Sequence, residues 1–206
     1  MSLAAQSGYG VNEGQKFIGI GGTESAPGGN SVSAAAVFGM GFGDSNENIG
    51  VEVDLVISSV NASDGGFADD GFFGLKLHKT IDNLSSVAVG VEGAVQWGDA
   101  KNDDPSYYVA YTKIFFLPKA LVASIGVGDG RFIPTNDNSN YKGFVSAAYI
   151  FHPKVSVIAD YTANILKLGV SFVPIDDEPL TVSIYADDVD EREDDTKASM
   201  SVSYSF

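Results

Sequence analysis

Lys197-Ala198-Ser199-Met200-Ser201-Val202-Ser203-Tyr204-Ser205-Phe206, the last ten residues, decide the fold. Side chains on a strand alternate with period two, so Ala198, Met200, Val202, Tyr204 and Phe206 share one face. Lys197 and the four serines share the other. Such a strand has one apolar and one hydroxyl face, and its meaning depends on whether the rest of the chain repeats it.

The chain does repeat it. Period-two patterning punctuated by turn residues marks about twelve segments. They run over Gln15–Ile20, Ser31–Phe42, Ile49–Val60, Gly71–Lys79, Leu84–Trp97, Tyr107–Leu117, Ala120–Arg131, Lys142–Phe151, Val155–Tyr161, Ile165–Val173, Leu180–Asp187 and Lys197–Phe206. None shows a sustained helical period. Val32, Ala34, Ala36, Phe38, Met40 and Phe42 share a face, as do Ile49, Val51, Val53, Leu55 and Ile57; Tyr107–Leu117 is ambiguous, with aromatics on both sides. All seven prolines fall in connections or at strand ends, as a continuous hydrogen-bonded ladder requires. Short connections (80–83, 118–119, 152–154, 174–179) alternate with longer polar ones (21–30, 61–70, 98–106, 132–141, 188–196). Segment 43–48 is long for its class and 162–164 short.

An aromatic C-terminal residue, Phe206, with a second aromatic, Tyr204, two positions earlier resembles the closing strand of bacterial outer-membrane β-barrels. That resemblance implies that Tyr204 and Phe206 form the signal read by the outer-membrane assembly machinery. It also implies that the rim bearing Phe206 faces the periplasm. Counting strands backwards then places the long connections outside with one exception, the arrangement of outer-membrane barrels. Even parity puts the N-terminal end at the periplasmic rim as well. The expected architecture is therefore all-β: a closed antiparallel transmembrane-type barrel of about twelve strands, one domain spanning 1–206.

Composition excludes several other classes. Twelve Lys and Arg against twenty-seven Asp and Glu leave a net charge of −15, which is incompatible with a nucleic-acid partner. Cysteine is absent, so no disulfide framework and no thiolate metal site is available. No apolar run reaches the roughly 18 residues of a spanning helix. A signal peptide is absent; Met1-Ser2-Leu3 reads as an expression remnant and Ala4-Ala5-Gln6 as the start of a processed chain.

A strand with one apolar face turns that face to lipid in a membrane barrel and inward in a soluble one. Small, hydroxyl- and glycine-rich polar faces, strands of spanning length, and aromatics near strand ends favour the membrane reading. The alternative is a soluble β-barrel binding a small apolar ligand. In the membrane reading the partners are outer-membrane lipid, the assembly machinery and small solutes or cations, and the location is the bacterial outer membrane. Glu52, Asp54, Lys76, Glu92, Lys113, Asp160 and Lys167 are the candidates for lining the lumen, with Glu52–Lys76 and Asp160–Lys167 as neutralising pairs. Asp188, Asp190, Glu191 and Glu193 form an acidic external loop. Twelve strands about 4.8 Å apart enclose a cylinder roughly 24 Å across, with a bore of on the order of 12 Å between side chains. The expected function is a narrow, porin-like passive channel or a structural barrel.

No catalytic, cofactor or metal site is expected. His78 reads as a lumen residue and His152 as a turn residue, and neither sits in a Ser-His-carboxylate arrangement. The glycine runs at 19–22 and 126–130 precede no helix and are not phosphate loops. A membrane hydrolase would need a nucleophile that is not found. Gly128-Asp129-Gly130-Arg131-Phe132, Lys154–Tyr161, Leu166–Phe172 and Pro179–Ser183 resemble strands of exopolysaccharide-associated outer-membrane proteins, with Ala159-Asp160-Tyr161 departing from that family's Ala-Glu-Tyr step. The resemblance covers about 126–190 and implies a link to polysaccharide export.

Deleting Phe206 is expected to reduce the membrane-inserted fraction several-fold in fractionated cells, with synthesis unchanged, whereas Ser203→Ala leaves insertion unaffected. Equal insertion of the deletion and the parent would remove the signal role.

Overall fold

The computed structural model describes residues 2–29, 32–58, 60, 67–192 and 195–206. Twelve antiparallel strands close into a barrel with each strand paired to its neighbours in sequence, and β1 to β12. They are β1 Lys16–Glu24, β2 Val32–Phe42, β3 Gly50–Ile57, β4 Gly71–Asp82, β5 Ser85–Trp97, β6 Ser106–Phe116, β7 Ala120–Gly128, β8 Lys142–His152, β9 Val155–Thr162, β10 Ile165–Phe172, β11 Leu180–Asp187 and β12 Lys197–Ser205. Two short 3₁₀ segments, Gly98–Asn102 and Gly130–Phe132, are the only helical pieces among the described residues. β1 runs four residues past its expected end, because Gly21 and Gly22 hide the alternation that Thr23 and Glu24 continue in the ladder.

The seam explains the weight of the last strand. Phe17 to Thr23 pair with Ser205 to Ser199, and beyond the ladder Lys16 N donates to Phe206 O at 2.8 Å while Phe206 N donates to Lys16 O at 2.9 Å. Closure leaves no edge strand with unpaired backbone groups.

Apolar side chains point outward and polar ones inward. Ile18, Ile20, Leu75, Leu77, Val89, Val109, Ile125, Val145, Val157, Leu168 and Ile184 are exposed on the outside. Ser86, Thr112, Ser124, Ser146, Ser156, Asp160 and Ser171 are buried on the inside. That is the inverse of a soluble barrel with an apolar pocket. β6 resolves its ambiguity by burying Ser106, Tyr108, Ala110 and Thr112 and exposing Tyr107, Val109 and Tyr111.

The shortest connections gather at the Phe206 rim and the longest at the opposite rim. The exceptions are the seven-residue connections 43–49 and 173–179 at the Phe206 rim and, at the other, the Ala163-Asn164 hairpin. Both of its residues have positive φ, 54° and 65°, the geometry of a two-residue hairpin turn. A bulge around Gly93 (φ 74°) lets β5 carry two extra residues against β4 and still keep Val91 and Val95 on one face.

The interior is filled asymmetrically. Behind β5–β8, Phe132 folds in from the long-loop rim and stacks on Phe144 at 4.8 Å, beside Tyr108 at 5.8 Å. Glycine makes this possible, since a Cβ on Gly126 would stand 2.1 Å from the Phe144 ring and one on Gly128 2.4 Å from Phe132. The opposite wall, β1, β2 and β12, bears Gly19, Gly21, Ser33, Ala35, Ser201 and Ser203 and leaves space beside it.

Candidate functional site

The feature that most shapes the lumen is the segment before β1, which turns back into the barrel from the Phe206 rim. Glu13 N donates to Gly43 O at 2.8 Å, and Asn12 Oδ1 accepts from Ser45 N at 2.9 Å. Further in, Val11 N donates to Glu52 Oε2 at 2.8 Å. Val11 O lies 3.1 Å from His78 Nε2, so that nitrogen carries the proton. Gly8 N donates to Thr112 Oγ1 at 2.8 Å, and Ser86 Oγ to Gly8 O at 2.7 Å. Gln6 Nε2 reaches Glu92 Oε1 at 2.6 Å. At mid-barrel the amides of Leu3, Ala4 and Ala5 all donate to Asp160 Oδ2, at 3.2, 3.1 and 2.9 Å.

These contacts explain the composition of the segment. A Cβ on Gly8 would stand 2.2 Å from Ser86 O, and one on Gly10 2.6 Å from the His78 ring. Glycine lets this backbone lie against the wall. Asp160 is 1 % exposed, and an enclosed carboxylate needs donors. Three successive amides form a nest for it, and Thr162 Oγ1 donates to its other oxygen at 3.0 Å.

Of the residues expected to line the lumen, Glu52, Asp54, Lys76, Glu92, Asp160 and Lys167 point inward. Glu52 and Lys76 are register partners and bond at 2.8 Å. Glu92 pairs instead with Arg131, whose Nε and Nη2 grip both carboxylate oxygens, the latter at 2.6 Å. Two expectations are corrected. Asp160 and Lys167 are register partners but do not form the expected ion pair. Lys167 has a second carboxylate across β11, Asp187, and bonds it at 2.6 Å, while the N-terminal amides take Asp160. Lys113 does not line the lumen: it shares the outward parity of Val109 and Tyr111 and sits 6.0 Å from the Phe115 ring centroid near the Phe206 rim. A long lysine there reaches the interface along its own stem.

The acidic loop is only partly a solvated one. Asp188 is buried, its Oδ1 accepts from Arg192 N at 3.1 Å, and Asp190 pairs with Arg192 at 2.6 Å. Glu191 is exposed with φ 50°, and Glu193 lies outside the described residues. Tyr204 donates to Glu178 at 2.9 Å, and its ring lies 6.0 Å from that of Phe206.

Three cavities share lining residues along the open side. One, of about 480 Å³, lies inside β1–β3 and β11–β12 and is rimmed by Thr23, Ser33, Ser58, Tyr185 and Ser201. A second, of about 550 Å³, lies under the long loops with Asp103 and Asp104 at its edge. Both meet a mid-barrel chamber of about 320 Å³ through Val37 and Val56 on one side and Phe72 and Arg131 on the other. Sequence reading placed His78 on the lumen face, as found, but did not identify residues 3–12, Arg131 or Phe132 as determinants of this interior. The glycines at 8 and 10, in a segment with no strand pattern, were the available signal.

No known protein family and no curated protein matches the sequence. Solved structures resemble the chain in fold. The COG4313 outer membrane channel from Pseudomonas putida F1 superposes over 100% of both chains with TM-score 0.54 at 12% identity. The toluene transporter TbuX from Ralstonia pickettii aligns over 95% of this chain and 90% of its own, with TM-score 0.48 and 9% identity. The likeness to the Pseudomonas putida channel, with the closed twelve-strand ladder, shows the fold of an outer-membrane-type barrel. These comparisons do not bear on the resemblance to exopolysaccharide-associated proteins.

Asp160→Asn is expected to speed amide hydrogen exchange at Leu3–Ala5 by at least about tenfold, since hydrogen bonds to a charged acceptor contribute about 1.5–3 kcal/mol each. Exchange in β9 and β10 stays unchanged. Unaltered protection at Ala5 would show that other contacts hold the segment.

Proposed function

We propose that this protein sits in a bacterial outer membrane and forms a narrow passage for small solutes, kept shut by its own N-terminal segment. The observation that carries the reading is the run of contacts from Leu3 to Asn12 across the lumen, with connected cavities above it that open toward the long loops. A barrel serving only as a structural wall has no need of that space.

The outward apolar face supports the location, since such a surface is stable only against hydrocarbon. The closed ladder supports it too, because a spanning sheet leaves no backbone group unpaired in lipid. A net charge of −15, with Asp103 and Asp104 at the mouth, concentrates cations there and repels anions, an effect that fades as salt screens it. Residues 3–12 are held by hydrogen bonds to the wall and by Ala5 in the apolar cluster of Tyr108, Phe132 and Phe144, a mode of attachment that can be released without unfolding the barrel.

Planar-bilayer recordings test this. The full chain is expected to pass little current, and a variant lacking residues 2–11 several times more, with a cation preference that declines between about 0.1 and 1 M salt, as the Debye length shrinks from about 10 to 3 Å. Migration as a compact species until boiling serves as the control that the shortened barrel has folded. A folded, inserted deletion variant without added conductance would favour the structural-barrel reading, which the aromatic packing behind β5–β8 supports.

A further inference from the structure

The mid-barrel chamber carries an imbalance that the N-terminal segment does not relieve. Three carboxylates, Glu52, Asp54 and Glu92, face it with two cations, Lys76 and Arg131. Glu52 is fully engaged, by Lys76 on one oxygen and Val11 N on the other. Glu92 is too, by Arg131 and Gln6. Asp54 is the one left over: its Oδ1 is buried and has no hydrogen-bond partner among the described residues.

The surroundings of Asp54 are apolar and aromatic. A Cβ on Gly39 would stand 2.2 Å from Phe17 Cε1 and 2.6 Å from Asp54 Oδ1, so ring and carboxylate converge on the space that glycine leaves. Phe72, Val37 and Val56 complete that side of the chamber, and Gly74 keeps its wall low. The chamber of about 320 Å³ has one charged half, whose Glu52, Lys76, Glu92 and Arg131 are already paired, and one aromatic and aliphatic half. The Asp54 carboxylate stands between them as the placed charge of a small-molecule site.

We propose that this chamber binds a small organic cation, an ammonium group on a compact hydrocarbon body, with Asp54 as counter-ion and Phe17 and Phe72 as walls. The inference rests on the passage proposed above and names the class of solute it favours. A divalent metal is disfavoured because it needs six or more oxygens and Asp54 offers two. An anion is disfavoured because both chamber cations are already held by carboxylates. A neutral apolar molecule would leave the buried carboxylate unmatched, at a cost. Aromatic faces add attraction for ammonium groups that water does not supply. The acidic mouth brings the same sign of charge toward the chamber from outside.

The test is calorimetric titration of the full chain in detergent with cyclohexylammonium, cyclohexanol and cyclohexanecarboxylate, three probes of one shape and different charge. The ammonium is expected to bind saturably, and the alcohol and the carboxylate at least about tenfold more weakly or not at all. Asp54→Asn should weaken the ammonium by more than tenfold, as loss of a buried charge partner does. Phe72→Leu, which keeps the carboxylate, should weaken it several-fold, and it carries the test if the Asp54 variant fails to fold. Binding that Asp54→Asn leaves unchanged, equal binding of the alcohol, or no saturable binding to a folded barrel would each overturn the proposal. Conductance after removal of residues 2–11 without ammonium binding would leave the passage standing and reject only this site.

Discussion

A carboxylate enclosed by protein must find donors, and in this barrel the chain's own first residues provide them. Glu52 takes the Val11 amide, Glu92 the Gln6 side chain, and Asp160 the amides of Leu3, Ala4 and Ala5. Each acceptor stands on a different part of the wall, β3, β5 and β9, so the segment spans the lumen rather than lining one side. The wall charges and the plug are therefore one device. Strip the segment away and three inward carboxylates lose donors; remove the carboxylates and the segment keeps its hydroxyl contacts and the seat of Ala5 against Tyr108, Phe132 and Phe144 but loses its charged acceptors.

The same accounting divides the interior into a filled and an open half. Behind β5–β8 the glycines at 90, 126 and 128 admit Tyr108, Phe144 and Phe132, and Arg131 lies 4.3 Å above the Phe132 ring while gripping Glu92. On β1, β2 and β12, Gly19, Gly21, Ser33, Ser201 and Ser203 leave a path, whereas Gly39 and Gly41 admit the Phe17 ring and the backbone of Val11 and Asn12. Thin wall and thick filling come from the same residue type, and what differs is whether a large side chain arrives from elsewhere. Asp54 stands where the two halves meet, the one chamber carboxylate without a donor among the described residues.

Much of the fold was legible because a barrel wall is written in a local code. Alternation over Lys197–Phe206 fixes a strand, and twelve such segments with alternating connection lengths fix the parity that the ladder obeys. The code failed where it is silent. In Tyr107–Leu117 aromatics occupy both faces, so Lys113 was assigned inward when Tyr108 had to be. Asp160 was paired with Lys167 by register alone, which ignores that Lys167 has a second carboxylate, Asp187, equally close across the next strand. Asp188 looked like a solvated loop charge but is buried, accepting from the Arg192 amide. The N-terminal segment carries no periodicity at all, since a strap held by scattered hydrogen bonds needs none. Its only trace was Gly8 and Gly10, whose purpose shows once Ser86 and His78 stand beside them.

That the N-terminal segment lies inside the barrel is the claim on which the rest turns, and a cysteine bridge measures it most directly. The chain has no cysteine of its own, and Ser7 Oγ lies 3.2 Å from Thr112 Oγ1 on the inner wall. Mild oxidation of a folded Ser7→Cys, Thr112→Cys variant is expected to give an intramolecular disulfide, seen as a reductant-sensitive shift in boiled samples. Ser7→Cys with Val109→Cys, on the outer face of the same strand, should give none. Failure of the inner pair to cross-link, or equal cross-linking of the outer one, would contradict the account.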